Sequence, residues 1–483
     1  MPGRRPHLIS AAAGNALAAS LAALHDELEL PGPFPDEVTA EADAAARDVP
    51  ATPSAELADL REIEFLTIDP EGSRDLDQAL HLERTATGGI LHYAIADVPA
   101  FVTPAGAVDA AARARGETLY AVDGTIPLHP RVLSEGAASL LPGVDRRAFV
   151  WRFELDERAE PTQVTLTRAV VRSRRQWSYP EAQRAVDDGS APAALAALPW
   201  FGAARAEREQ ERGGASLNSP EIEVAATPTG YELRRRATLP IEDWNAQVSL
   251  LTGMAAARIM LDGGVGILRT MPAADADDVA TFRAQTVALG TPWPSGMGYG
   301  EYLRTLRGDD PKTLAIRDAA TRLFRGAGYA AFDGTPPADP LQSAIAAPYA
   351  HTTAPLRRLV DRWCLVVCEA LSNGREVPGW ARESLTELPK IMGRSNGLAS
   401  RLDAASIDRV EAAVLHGRIG RTFRGVALGR RGDGVRVQLD DPLVSVVVDG
   451  LEVEPGSTVQ VRLQRADIAT GEIVMVPASE EAH

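Results

Sequence analysis

The last sixty or so residues alternate apolar and polar side chains with a period of two and break at short, regular intervals, a pattern that few folds satisfy. TFRGVALG, GVRVQLD, VSVVVDG, TVQVRLQRA and GEIVMVP follow one another, separated by GDG, DDP and EPG turns. Within the second run Val435, Val437 and Leu439 alternate with Arg436 and Gln438. Five consecutive short strands predict a small antiparallel β-barrel over residues 418–483, with an OB fold as the leading candidate. Barrels of this kind commonly bind single-stranded nucleic acid on one sheet face, and a barrel with a purely structural role fits the pattern as well.

The rest of the 483 residues reads differently. At ~100–200 residues per domain the chain has room for two to four domains. Residues 1–60 are Ala-rich and predict a helical N-terminal segment. Leu17, Leu21, Leu24 and Leu28 recur at helical spacing, Pro31, Pro33 and Pro35 interrupt, and a second helix is expected over roughly 36–47 before the linker DVPATPSAELADL. Arg4 and Arg5 ahead of LISAAAGNALAASLAAL resemble a signal peptide, but the run enters HDELEL without a clear cleavage site, so an amphipathic helix is expected. From Glu64 strands appear in EFLTI, LHYAIADV, FVWRFEL and TQVTLTRAVV, with helices expected at 109–116, 244–261, 312–327 and 355–372. This spacing is too uneven for a βαβ repeat, so residues 61–375 are expected to form an α+β domain, followed by connecting helices at 381–395 and 403–416 within 376–417.

Composition sets the class. Hydrophobic residues make up 45% and charged residues 24%, which excludes disordered, collagenous and disulfide-scaffold chains. No run reaches the ~18–20 apolar residues of a membrane span. The net charge of −16 ordinarily argues against a nucleic-acid partner. Locally, however, arginines cluster at 172, 174 and 175, at 234–236, and at 418, 421, 424, 430 and 431, either as a compositional habit or as a binding surface. Cys364 and Cys368, four apart in WCLVVCEAL, fall on one helical face as buried thiols, which fits a reducing compartment.

Two motifs carry chemistry. TIDPEGSRDLDQAL, residues 67–80, places Asp69, Asp75 and Asp77 within nine positions directly after an apolar strand. Hard oxygen donors of this kind suit Mg²⁺ or Mn²⁺, and a solvated acidic loop is the alternative. An EF-hand is excluded, because Leu80 stands where its glycine must be. YAHTTAPLRRLVDRW, residues 349–363, reads as a helix start with Thr352 or Thr353 as cap and Pro355 in the first turn. Arg357 and Arg358 then sit at the positive end of a helix dipole, where a bound phosphate would bring dipole and guanidinium together, or where Asp361 simply partners surface arginines. No Walker A loop, GxSxG elbow or HExxH motif is present, and the eight histidines do not pair at metal-ligand spacing. Clustered carboxylates and an arginine-bearing turn are the two halves of a phosphodiester-cleaving centre.

These two runs resemble the signatures of the ribonuclease II (RNB) family, the first its acidic signature and the second its TSPIRRYxD signature. The segment from LHYAIADVPAFV to LSEGAASLLPG is similar to it as well, so the resemblance spans roughly residues 60–483. It implies an RNB-type catalytic domain with a C-terminal OB-fold RNA-binding domain, in a cytoplasmic, monomeric enzyme that degrades single-stranded RNA processively from 3′ to 5′ into nucleoside 5′-monophosphates. It further implies Mg²⁺, with Mn²⁺ possible, held by Asp69, Asp75, Asp77 and Gln78. Asp77 and Arg357 would be catalytic and Tyr120 would contact RNA; from the clustering of basic residues Arg358, Arg421 and Arg424 are expected to contact RNA as well. The sequence departs from the family in four places. Gln78 stands at a fourth acidic position. No aromatic occurs at 214–221 for the 3′-terminal base. Gln247 replaces a ribose-binding Glu, with Glu242 and Asp243 nearby. The helical segment 1–60 stands in place of cold-shock domains. An RNA-binding relative with lost catalysis is the alternative.

Overall fold

The apolar run after Glu64 forms a strand, Phe65–Asp69, whose first four residues are buried. The computed structural model to which it belongs describes residues 11–215, 221–227, 230–236, 238–308 and 310–478. This strand pairs antiparallel with Gln78–Thr85, which pairs with Gly88–Ala96, which pairs in turn with Asp145–Leu155. The 18-residue strand Pro161–Ser178 closes the circuit: its first part runs antiparallel to Asp145–Leu155, and its last residues run parallel to Phe65–Asp69.

Side chains alternate between the two faces, as the pleat requires. Leu91, Tyr93, Ile95, Phe149, Trp151 and Phe153 pack against the helices Pro240–Gly263 and Leu359–Ser372. Ala94, Ala96, Ala148 and Val150 face Val38 and Ala42 of the helix Asp36–Asp48. The domain is α+β, as expected. Cys364 and Cys368 are buried free thiols on the helix Leu359–Ser372.

The C-terminal strands also form where the alternation puts them, in the antiparallel order Ser445–Asp449, Gly434–Leu439, Thr422–Arg431, Thr458–Ala466, Ile473–Pro477. The core of this sheet contains Val435, Val437, Leu439, Val461 and Leu463 and is completed from outside it. Leu17 and Leu21 of the first helix, Ala11–Glu27, and Val410 and Val414 of a long helix, Leu388–Leu415, belong to the same apolar cluster. The connecting helix expected at 381–395 starts in a separate short helix, Gly379–Ser384, and from Leu388 it is continuous with the one expected at 403–416, as a single helix of 28 residues. Gly393 and Gly397 each cost ~1 kcal/mol inside this helix, which the burial of Met392, Leu402 and Val410 along its length offsets. The segment expected at 312–327 is helical only over Pro311–Ala320, with a 3₁₀ turn to Leu323. Helices at Leu198–Arg212 and Ala276–Ala288 form in stretches without a clear apolar stripe, and the short amphipathic helix Tyr179–Asp187 was not expected either.

Candidate active site

Asp69 ends its strand and Asp77 stands one residue before the next, so the loop between them returns the chain to the same sheet edge. Side-chain bonds fix that loop: Gln176 Nε2 donates to the Ser73 carbonyl at 2.8 Å, and Ser139 Oγ donates to the Arg74 carbonyl at 2.6 Å while accepting from the Leu76 N–H at 3.0 Å. Asp77 is only 2% exposed. Its Oδ1 accepts the Leu356 N–H at 2.7 Å, and its Oδ2, buried without a hydrogen bond, lies 3.6 Å from Arg357 Nε. Asp69 Oδ2 is likewise buried and unpartnered. Gln78 Nε2 donates to the Thr353 carbonyl at 2.6 Å.

The segment that meets these carboxylates is a turn, not the helix start read from the sequence. The helix begins at Leu359, so Thr352 and Thr353 do not cap it and Pro355 precedes it. Asp361, at its third residue, accepts the Ala354 N–H at 2.7 Å and, on its two oxygens, Arg358 Nη2 and Nε at 2.8 and 2.9 Å. A carboxylate in the first turn thus draws the incoming chain into a bend before the helix. Arg358 is held by this pair, with a quarter of its side chain still exposed. On the other side the turn is stitched to residues 116–118, through Thr118 N–H to the Arg357 carbonyl at 2.9 Å and Leu359 N–H to the Gly116 carbonyl at 3.0 Å. Gly116 has φ +78°, and a Cβ there would stand 2.6 Å from Ser395 Cβ. Only glycine permits this approach.

Arg357, with 41% of its side chain exposed, is paired with Asp77, and its charge also acts on Asp69 and Asp75. Burial pushes Asp69 up to about 6 and Asp77 up to about 8, and raises Asp75 as well, with the Arg357 charge opposing the shift in each case. Burial works against the Arg357 charge, but Asp77 and Tyr120 hold it above its ordinary range. Tyr120, 56% exposed, lies beside Arg357 in a cleft of about 450 Å³ whose wall includes Asp75, Arg131 and Leu356.

Among the described residues no three His, Cys, Asp or Glu side chains stand close enough together to hold a metal ion by themselves. The donor set nevertheless fits a hard cation. Two buried carboxylate oxygens, on Asp69 and Asp77, accept no hydrogen bond, and burial raises both groups although Arg357 opposes it. Mg²⁺ and Mn²⁺ take one or two protein carboxylates and complete their shells with water and phosphate oxygens, so two or three converging aspartates suffice.

The profile of the RNB domain matches residues 57–371, and that of the RNase II-type exonuclease C-terminal S1 domain matches residues 421–478. The chain belongs to the RNB family. Ribonuclease R of Escherichia coli K12 is 26% identical over 451 residues, covering 88% of this chain and 54% of that protein, so the chain spans about half the length of that curated relative. Mycoplasma genitalium RNase R in complex with ribose-methylated single-stranded RNA has the same fold, with TM-score 0.87 at 17% identity over 96% of this chain and 78% of that one. Yeast Ssd1, described as a pseudonuclease, shares it at TM-score 0.65 and 15% identity over 89% of this chain and 59% of its own.

Set against the RNB pattern, the departures acquire local explanations. Gln247 donates to Glu209 Oε2 at 2.7 Å, and Glu242 receives Arg236 Nη1 at 2.8 Å on both oxygens. The missing aromatic at 214–221 falls mainly on residues 216–220, outside the described residues. Sequence reasoning passed over Tyr93 and Tyr179. Burial raises both phenols, with the Asp69 charge adding to it, and Tyr93 bonds Ser249 on the helix Pro240–Gly263 at 2.8 Å. Tyr179, directly after the strand Pro161–Ser178, carried the signal of a tyrosine ending a strand run, whereas Tyr93 sits inside its strand and carried none. Arg424 lies on the barrel beside Asp440 at 3.3 Å, and Arg421 is exposed next to it.

Proposed function

We propose that this chain is a hydrolytic 3′→5′ exoribonuclease that degrades single-stranded RNA processively to nucleoside 5′-monophosphates, using Mg²⁺ or Mn²⁺. The observation that carries this reading is the Arg357 charge acting on Asp69, Asp75 and Asp77, two of which hold buried oxygens that accept no hydrogen bond. Family membership and the fold shared with RNA-bound RNase R support it. Asp69, Asp75 and Asp77 would hold the cation, which when bound supplies an activated water and a counter-charge for phosphate oxygens. The Leu356 N–H fixes the Asp77 carboxylate in one rotamer. Arg357, its turn clamped by Asp361, presents a guanidinium to the scissile phosphate and neutralises charge as it builds up there. The exposed Tyr120 ring beside Arg357 would stack on a base near the 3′ end, an interaction worth ~1–3 kcal/mol per base.

A second reading, RNA binding without cleavage, draws support from the absence of a three-ligand metal cluster among the described residues. One assay separates them. End-labelled poly(A) is incubated with Mg²⁺ or Mn²⁺ and, in parallel, with EDTA. The proposal expects mononucleotides only in the presence of metal, and bound but intact RNA in every tube would establish the second reading.

A further inference from the structure

The fourth acidic position of the family pattern is occupied by an amide, and its contacts explain what the amide does. Gln78 Nε2 donates to the Thr353 carbonyl at 2.6 Å, while its neighbour Asp77 accepts the Leu356 N–H at 2.7 Å. Adjacent residues at the start of one strand thus hold two points, three residues apart, on the turn that carries Arg357, across some 275 residues of sequence. Successive side chains of an extended chain point in different directions, so the two bonds constrain the turn along different axes. Only a donor can meet a carbonyl oxygen. Aspartate or glutamate, when ionised, is acceptor-only and would repel it.

We infer that Gln78 is a positioning residue that sets the placement of Arg357 relative to Asp77, and that its amide is a fastening device, not a weakened metal ligand. The inference deepens the exoribonuclease reading and rests on it only for its catalytic consequence. It predicts that restoring a carboxylate at position 78 harms the site.

Two variants test it, Gln78→Glu, which keeps the length and removes the donor, and Gln78→Met, which removes the donor without adding charge. Hydrogen exchange of the turn amides at 352–358 is measured in metal-free protein, Mn²⁺ affinity by electron paramagnetic resonance, and single-turnover cleavage on labelled single-stranded RNA. Both variants are expected to exchange faster at the turn. Gln78→Glu is expected to bind Mn²⁺ no more tightly than wild type and to cleave ~10- to 100-fold more slowly at unchanged RNA affinity, the usual cost of disturbing groups that orient a metal site. Unchanged exchange in both variants, or Mn²⁺ binding at least tenfold tighter in Gln78→Glu, would overturn the inference and return position 78 to the ligand set. If the wild-type protein cleaves nothing, the exchange and Mn²⁺ measurements still decide the role of Gln78, and the failure belongs to the activity alone.

Discussion

Asp77 concentrates the site's electrostatic conflict. It is buried beside one arginine and is raised to about 8, against ~3.9 for an aspartate in an unfolded chain. A carboxyl raised on folding contributes its stability fully below the unfolded value and loses it as pH rises through the folded one. Metal-free protein should therefore become less stable between about pH 4 and pH 8, and a divalent cation should reverse the loss by favouring the ionised form. Asp77→Asn keeps an oxygen for the Leu356 N–H but cannot ionise, so its melting temperature in EDTA should vary less with pH. Its cleavage should fall by at least ~10²-fold, since an amide oxygen is a poor substitute for a charged ligand. Melting curves in EDTA from pH 5 to 8.5 check the first part, and parallel pH trends in the two proteins would disprove it. Asp69, Asp75, Asp77 and Arg357 were legible in the sequence because each lies in a short contiguous motif. The bond from Gln78 to Thr353 was not, because nothing local marks a partner 275 residues away.

Among the elements, strands were read more faithfully than helices. Alternation fixes which face of a strand is buried, and the five C-terminal strands follow it within a residue or two at most ends. The helix before Cys364 was placed too early because Pro355 suits a first helical turn, whereas Asp361 captures the Ala354 N–H and delays the helix to Leu359. Leu198–Arg212 escaped notice because two of its inward positions are Arg205 and Arg208, which read as surface. A similar buried charge supplies a test on the long helix Leu388–Leu415. Glu411, 5% exposed, accepts the Ser445 N–H from the barrel at 3.1 Å, and burial pushes it up to about 8. Its stabilising protonated form is lost as pH rises from its unfolded value near ~4.3 through 8. Glu411→Gln should keep the bond to Ser445 and be more stable than wild type at pH 8.5, with the difference vanishing near pH 4.5. Urea unfolding at the two pH values measures it, and equal differences at both would show that Glu411 is not the titrating group.

At the scale of the molecule, the N-terminal segment is not a unit by itself: Leu17 and Leu21 complete the core of the barrel, and Val38 and Ala42 cover the catalytic sheet. Sequence periodicity showed that the first helix had an apolar stripe but not which surface would bury it, since any apolar groove satisfies the pattern. This packing also determines how RNA binding by the barrel can be tested. Removing residues 418–483 would strip the cover from Leu17, Leu21, Val410 and Val414, so a loss of binding could reflect exposed core instead of lost contacts. Point changes on the surface avoid that difficulty. Arg421 and Arg424 are exposed on the barrel, and Arg424 shares its charge with Asp440 at 3.3 Å across an exposed pair, which holds it only weakly. A net charge of −16 repels RNA as a whole, so binding must draw on such local positive charge. Each phosphate neutralised on a single strand contributes ~0.7 to the slope of log affinity against log salt. The double substitution Arg421→Gln, Arg424→Gln should therefore weaken binding at low salt and flatten that slope by up to ~1.4. It should leave the rate of single-turnover cleavage at saturating RNA unchanged, because the charge acting on all three aspartates is that of Arg357. Filter binding of a labelled oligonucleotide from 50 to 300 mM salt supplies the measurement, and an unaltered slope would mean that the barrel is a structural cap and that RNA reaches the site along another face.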